Sequence, residues 1–364
     1  MPDVMTSPIE KRKTDHLDLA THGDVGFRET TTLLEDIQLV HCAIPELGWD
    51  EVDTSVAVLG KPLRVPVVIA AMTGGTERAR RINEELASVA EEFGCGFGLG
   101  SQRPMLRDPN QVASFAVRHV APTALVMGNI GAVQAVALSV GELHSLVERV
   151  GADALCVHLN VAMELIQSDG DRDFRGVVDL FERLVAELPV PVIAKETGCG
   201  ISADVARRLA AVGVQHVDVS GAGGTSWVAV EGERAAGRQR SVGRAFREWG
   251  IPTAASVAAC AGLGFATVFA TGGVKHGLEV AKALALGASV AGVARPVLQA
   301  LDQGGRPAAL ELLRSIEHEL RVAMLLSGTR RVHDLRHAPR VLGPALGRWM
   351  DTMGVRPRDL SRGR

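Results

Sequence analysis

From about residue 65 the chain alternates two kinds of segment. Eight short runs are apolar at nearly every position: VVIAA (67–71), GFGLG (96–100), ALVMG (124–128), ALCVH (154–158), PVIAK (191–195), HVDVS (216–220), TVFAT (267–271) and SVAGV (289–293). Apolar runs without polar alternation suit strands covered on both faces, as in parallel sheets flanked by helices. The stretches between them repeat at the other period. In 76–94, Ala79, Ile82, Leu86, Val89, Ala90 and Phe93 fall on one helix face, and Gly94 supplies a stop. Similar patterns follow Ser202 and Gly277. Eight strand–helix units, with no long crossover to reverse the order, predict an α/β protein built as a closed (β/α)8 TIM barrel over 65–302.

Residues 1–64 and 303–364 are read as N- and C-terminal extensions, the second helical over 309–326 and then a basic, loop-like tail. Two intervals break the rhythm. About 32 residues separate the fourth and fifth strands and open with SDGDRDFRG (168–176); about 46 separate the sixth and seventh and include EGERAAGRQR (231–240). Intervals of this length are expected to be lids or irregular surface. Their arginines (Arg234, Arg238, Arg240, Arg244 and Arg247) read first as a solvated face, with attraction of an anion as the alternative.

Composition narrows the class. No apolar run approaches the roughly 20 residues that span a bilayer, and the N-terminal stretch is polar, without the core of a secretion signal. A cytoplasmic protein without membrane insertion is expected. Five cysteines, odd in number and never spaced CxxC, argue against a disulfide framework and a zinc site; Cys95 and Cys156 read as small buried thiols. A net charge of −3 and the absence of tyrosine give no footing for nucleic acid.

Chemistry in this fold belongs at the C-terminal ends of the strands. There the sequence places Met72-Thr73-Gly74, Ser101-Gln102-Arg103, Asn129, His158 with Asn160 and Glu164, Lys195-Glu196, and Ser220 to Thr225. A rim needed only for stability has no use for so many polar groups. The last two strands lead into Thr271-Gly272-Gly273-Val274-Lys275-His276-Gly277 and Ala294-Arg295. Loops at these two places form the usual phosphate cradle, where glycine lets backbone N–H groups approach an anion. Lys275 or Arg295 would add charge. Lys195, in a buried strand, needs a partner that a bound anion supplies, and a cation there suits the electron-rich edge of a reduced flavin.

These stretches, with RKTDHL, EVDTSVAVLGKPL, MTGG, GFGLGSQR, MGNIGA, HLN, KETGCGIS, DVSGAGGTSW, WGIPTAAS, TGGVKHGLEVAKALALGA and GVARPVL, stand in an order that resembles the type II, FMN-dependent isopentenyl diphosphate isomerases. The resemblance runs from about Lys11 to Val341. It implies FMN held by Met72, Thr73, Gly74, Ser101, Asn129, Lys195, Thr225, Gly273, Val274, Lys275, Ala294 and Arg295. It implies a prenyl diphosphate bound by Arg12 and Lys13, with Ser101, Arg103 and Asn160 nearby and His158 orienting the substrate. Glu164 matches the family's Mg²⁺ ligand. NADPH as reductant of the flavin, a proton added at one alkene carbon and removed at another, and a homotetramer or homo-octamer are further implications.

One position departs from the family pattern HLNxxQE: Met163 stands where the pattern has glutamine. A thioether cannot donate a proton and accepts weakly. Either Met163 merely fills space and the chain remains an isomerase, or the site serves a different or longer prenyl diphosphate that is protonated and cyclised. An FMN-dependent hydroxy-acid oxidase would share the barrel but needs a histidine base after strand six, where SGAGGTSW has none. A dehydrogenase using Cys199 lacks an evident base, and a non-catalytic flavin carrier would have no use for Arg12, Lys13 and Glu164.

Overall fold

The computed structural model describes residues 8–356. Eight parallel strands close into a barrel: β1 (Val67–Ile69), β2 (Gly96–Gly98), β3 (Val126–Gly131), β4 (Ala154–Leu159), β5 (Val192–Glu196), β6 (His216–Asp218), β7 (Thr267–Ala270) and β8 (Val290–Val293). Each strand pairs with its sequence neighbours, and β8 closes onto β1 through Ala291–Val67, Gly292–Val68 and Val293–Ile69. All eight apolar runs are therefore strands. β3 begins two residues later than its run and extends to Gly131, which makes Asn129 a strand residue. Every residue of β1, β2, β3, β7 and β8 is buried, as expected for strands covered on both faces.

The helices used below are α1 (Pro8–His22), α2 (Glu77–Phe93), α3 (Val161–Ile166), α4 (Trp227–Arg234), α5 (Gly277–Leu286), α6 (Arg295–Leu326) and α7 (Pro344–Thr352). In α2 the expected face is buried, Thr76 caps the first turn through Ala79 N, and Gly94 ends the helix in the left-handed region at φ 81°. Two layers of apolar side chains result. Inside the barrel, Val68, Leu125, Met127, Cys156, Ile193, Phe269 and Val290 pack together, and Val58 and Leu63 of the hairpin Val56–Val58/Lys61–Leu63 plug the N-terminal mouth. Between strands and helices runs the larger core around Ile69, Phe97, Val126 and Leu284. Cys95 and Cys156 are buried thiols, and burial pushes both up to about 12.

Three expectations change. The C-terminal tail, over its described residues to 356, is ordered rather than loop-like: a turn over Val332–His337, a strand Arg340–Leu342 paired antiparallel with Ile37–Leu39, and α7. Its basic residues cap carbonyls, Arg336 on Gly287 O and Arg340 on Arg336 O and Ala338 O, while Val332, Leu335, Leu346 and Met350 anchor it in the core. The interval after β6 is mostly helical, with α4 followed by Gly237–Ala245 and Thr253–Ala261. Gly232 and Gly243 meet backbone to backbone where the first two of these helices cross. Arg234 and Arg247 are held by Glu231 and the Asp24–Gly26 backbone, so neither is a loose anion trap. Finally, α6 runs through residue 302 as one element kinked at Gly304 and Gly305, just ahead of Pro307. Among the described residues no helix is long and apolar enough to cross a membrane.

Phe269 lies at the centre of the inner layer, 1% exposed. Phe269→Ala is expected to destabilise the barrel by about 3–5 kcal/mol, the usual cost of deleting a core aromatic. The measurement is the urea midpoint, with far-UV circular dichroism confirming that the fold is retained.

Candidate active site

A cavity of about 560 Å³ opens at the C-terminal ends of the barrel strands. That is within the size range of small-molecule sites and at the face where this fold performs chemistry. Of the residues singled out from sequence, Arg12, Lys13, Met72, Ser101, Arg103, Asn129, His158, Asn160, Met163, Glu164, Lys195, Thr225, Gly273, Val274, Lys275, Ala294 and Arg295 all line it. Thr73 and Gly74 stand behind the wall. Thr73 hydrogen-bonds through its carbonyl to Gly100 N, and a Cβ on Gly74 would strike the Phe115 ring.

The phosphate cradle has the expected backbone. Gly273 takes φ 81°, and a Cβ added to Gly224 would lie 2.4 Å from Gly273 N. The loops after β6 and β7 thus touch backbone to backbone, which only glycine permits. Arg295 differs from the expectation: its Nε donates to Ala20 O at 2.8 Å and its Nη2 to Gly23 O. The guanidinium pins the C-terminal end of α1 over the cavity.

Lys195 is also differently placed. Its Nζ sits 2.7 Å from Asp218 Oδ2, both side chains being 8% exposed. Asp218 Oδ1 in turn accepts from Thr271 Oγ1 and Ser220 N. β6 supplies the carboxylate that the buried lysine needs, so no bound anion is required to balance it. Lys195 nevertheless borders the cavity.

At the mouth the balance is cationic. Burial, with Arg12 and Arg103 beside it, pushes the Lys13 ammonium down to about 8. Among the described residues neither Lys13 nor Arg103 has a carboxylate within ion-pair distance, and Arg12 donates to the neutral Gln167 Oε1 at 2.9 Å. His158 shares this field. Its Nδ1 lies 2.7 Å from Asn129 Oδ1, so Nδ1 bears the proton and Nε2 accepts. Burial first, then Lys13, Lys195 and Arg103, pushes it down to about 3, leaving a neutral ring. Glu164 is 4% exposed, with Oε1 accepting from Asn160 Nδ2 at 2.8 Å and Oε2 from Asp171 N at 2.9 Å. The 168–176 segment is therefore folded back onto α3, with Arg172 bonding Glu164 O and Gln167 O. Among the described residues no three acidic, histidine or cysteine groups gather as a metal cluster.

A polar network escaped the sequence reading. His16 Nε2 is 2.7 Å from Glu231 Oε1, which also accepts from Gln167 Nε2 at 2.9 Å; Arg234 holds Oε2 at 2.7 Å. The His16 ring meets Trp227 edge-on at 5.4 Å. His16 lies in RKTDHL and Trp227 in GGTSW, stretches that carry the family resemblance without assigning either residue a role. Glu231 lies one helical turn after Trp227, a spacing that puts both on one face of α4.

Residues 160–341 match the family described as FMN-dependent dehydrogenase. An isopentenyl-diphosphate delta-isomerase of Synechococcus is 47% identical over 83% of this chain and 88% of its own; one of Nostoc is 42% identical over 92% and 96%. A third, from Methanothermobacter thermautotrophicus, is 40% identical over 97% and 99%.

The chain belongs to the type II isopentenyl-diphosphate delta-isomerase family.

The FMN-dependent match supports FMN as the cofactor of this isomerase family member. Among solved structures, a mandelate oxidase mutant carrying an FMN adduct is similar at TM-score 0.62 and 19% identity, over 90% of this chain and 95% of its own. A protein described as a lactate oxidase of Pediococcus acidilactici is similar at 0.63 and 16%, over 91% and 92%. At that distance the likeness is one of fold.

His158 yields a pH prediction. Its folded value lies below the ordinary 6.5, so the unfolded chain takes the proton first as pH falls. The stability it contributes is complete above about pH 6.5 and is lost on the way down to about 3. His158→Gln is expected to flatten the dependence of the urea midpoint on pH across that window. NMR of the wild-type ring should show no titration between pH 8 and about 4.

Proposed function

We propose that the chain is a reduced-FMN-dependent isomerase of isopentenyl diphosphate to dimethylallyl diphosphate, acting by protonation and deprotonation without net redox change. The observation that carries the reading is the uncompensated cation cluster at the mouth. Arg12, Lys13 and Arg103 repel one another in a partly buried space, and a diphosphate relieves that repulsion with dense negative charge.

The cavity's own features fit FMN. Behind the wall, Thr73 Oγ1 is buried with no hydrogen-bond partner among the described residues, and at the cavity the Gly224–Gly273 contact leaves backbone N–H groups unobstructed by any Cβ. In this reading the Gly273–Val274–Lys275 loop and the start of α6 at Ala294–Arg295 take the phosphate. Met72, Thr73, Gly74, Ser101, Asn129, Lys195 and Thr225 surround the rest. When bound and reduced, FMN supplies a proton donor beside the alkene.

The chain's residues do the remainder. Arg12, Lys13 and Arg103 bind the diphosphate, with Ser101 beside them, and α1 lies over the cavity to keep water from the alkene. His158, neutral, accepts a hydrogen bond at Nε2, and Asn160 offers its Oδ1, which has no partner among the described residues. Glu164 is the single protein carboxylate offered to Mg²⁺, the remaining ligands coming from diphosphate oxygens and water, a division this ion tolerates. NADPH as reductant, a cytoplasmic location and a homotetramer or homo-octamer complete the proposal.

Met163 favours a second reading. Its thioether lines the cavity where the family pattern has an amide. A soft apolar wall suits a longer prenyl diphosphate that is protonated and cyclised.

Two outcomes test these readings. Purified protein should bind FMN and, once reduced, convert isopentenyl diphosphate. Gly224→Ala should weaken FMN binding by about tenfold or more, matching the ~1–3 kcal/mol usual for overpacking, as read by flavin fluorescence titration. Separately, Met163→Gln should raise turnover of the five-carbon diphosphate. An unchanged rate in the variant, with ten- or fifteen-carbon substrates cyclised by wild type in mass spectra and NMR, would favour the second reading.

A further inference from the structure

Isomerisation requires a base as well as an acid, and Met163 cannot serve. Besides Lys195, paired with Asp218, and Lys275 of the glycine loop, the lining groups with the chemistry are Lys13, His158, Glu164 and His16. Lys13 belongs to the cation cluster. His158 faces Lys13, Lys195 and Arg103 and has no carboxylate, so a proton placed on it adds charge to a region already repulsive. Both oxygens of Glu164 accept hydrogen bonds.

His16 is built differently. Arg12, Lys13, His16, Leu17 and Ala20 all line the cavity, the spacing of one face of α1. The helix that presents the diphosphate arm therefore presents this imidazole one turn later. Its Nε2 lies 2.7 Å from a carboxylate oxygen of Glu231, which is 2% exposed. A nitrogen bonded to a carboxylate bears the proton, so Nδ1 keeps the lone pair. Among the described residues Nδ1 has no hydrogen-bond partner.

We propose that His16 is the proton-accepting catalytic residue, with Glu231 and Gln167 as its positioning residues; the assignment rests on the isomerase reading above. In the step, the C–H bond breaks at the substrate carbon between the alkene and the carbon bearing the diphosphate. The proton goes to His16 Nδ1 and the electron pair becomes the new double bond. The proton that enters at the far alkene carbon comes from the donor named above, so atoms and charge balance. The imidazolium formed shares its Nε2 proton with Glu231, whose charge offsets it.

The charged surroundings suit this role. Arg234 on α4 and Lys13 on α1 disfavour the imidazolium; Glu231 favours it, and Asp15 is occupied by Arg234. Burial, partly offset by Glu231, holds His16 below its ordinary value, so the free ring is neutral and ready to accept. Glu231 stays ionised because His16 and Arg234 outweigh its burial. An orienting carboxylate behind a histidine base is a recurrent arrangement.

The test uses full-length, FMN-loaded, reduced enzyme with isopentenyl diphosphate. His16→Gln is expected to lower kcat by about 10²–10⁴-fold, the usual worth of a general base. KM should hold within about threefold, because Arg12 and Lys13 remain. The acidic limb of the kcat profile should vanish. Glu231→Gln should lower kcat and move that limb to lower pH, because imidazolium forms less readily without the carboxylate. In the apoprotein, the NMR titration of the His16 ring should move the same way. Wild type without turnover would overturn the isomerase reading and this assignment together. Wild-type turnover, with His16→Gln within threefold or the limb unmoved in both variants, would overturn the assignment alone. Should His16→Gln fail to fold or to hold flavin, the Glu231→Gln limb and ring titration decide.

Discussion

Glu231 has been taken out of water, and the groups that compensate it decide where the N-terminal helix sits. An ionised carboxylate in a buried setting is tolerated only when donors surround it. Here they come from three places in the sequence: His16 on α1, Gln167 at the end of α3, and Arg234 on its own helix. α1 is not part of the barrel, yet two of its residues, His16 and Asp15, join this network, while Arg12 binds Gln167 and Arg295 grips the carbonyls at its far end. Removing the carboxylate would leave Arg234 half satisfied and Gln167 without its acceptor. The position of Arg12 and Lys13 on α1 is therefore secondary to a buried charge on α4.

The charges separate by depth and sign. Carboxylates in the site are tied down: Asp218 by Lys195 and Thr271, Glu164 by Asn160 and Asp171 N, Glu231 by its three donors. The cations at the mouth are not neutralised in the same way. This asymmetry leaves a net positive field at the mouth and a locally balanced interior where neutral groups such as His158 are held. Burial alone would not discriminate between them, since it penalises either sign equally.

The barrel was legible because its signal is repeated eight times and depends on burial, which follows from apolar pattern alone. The glycine loops after β6 and β7 were legible for a related reason: a backbone contact such as Gly224 against Gly273 excludes every side chain, so glycine stands where the geometry demands it. What stayed hidden depends on pairs far apart in sequence. Lys195 looked in need of a ligand because Asp218, 23 residues on, occupies the next strand. Glu231 looked like one charge in a polar run, since its partner His16 is 215 positions away. The tail looked like basic loop because arginines that cap carbonyls and arginines that face solvent read identically in a sequence.

Similarity of fold and similarity of chemistry divide at the rim. The oxidases that share this barrel at 16–19% identity have the architecture in common with it, and a fold shared that widely does not choose a reaction. An oxidation of a hydroxy acid calls for a base and a clamp set against a carboxylate one carbon away. This rim offers instead a cation cluster, Arg12 and Lys13 from α1 with Arg103 after β2, and the loop directly after β6 carries no histidine. The same wall that accepts a flavin can then serve redox or proton chemistry, depending on which element is laid across it. In this chain α1 brings to the rim both two cations and an imidazole backed by a carboxylate, and under the proposed reading the determinant of reaction class lies outside the eight strands that define the fold.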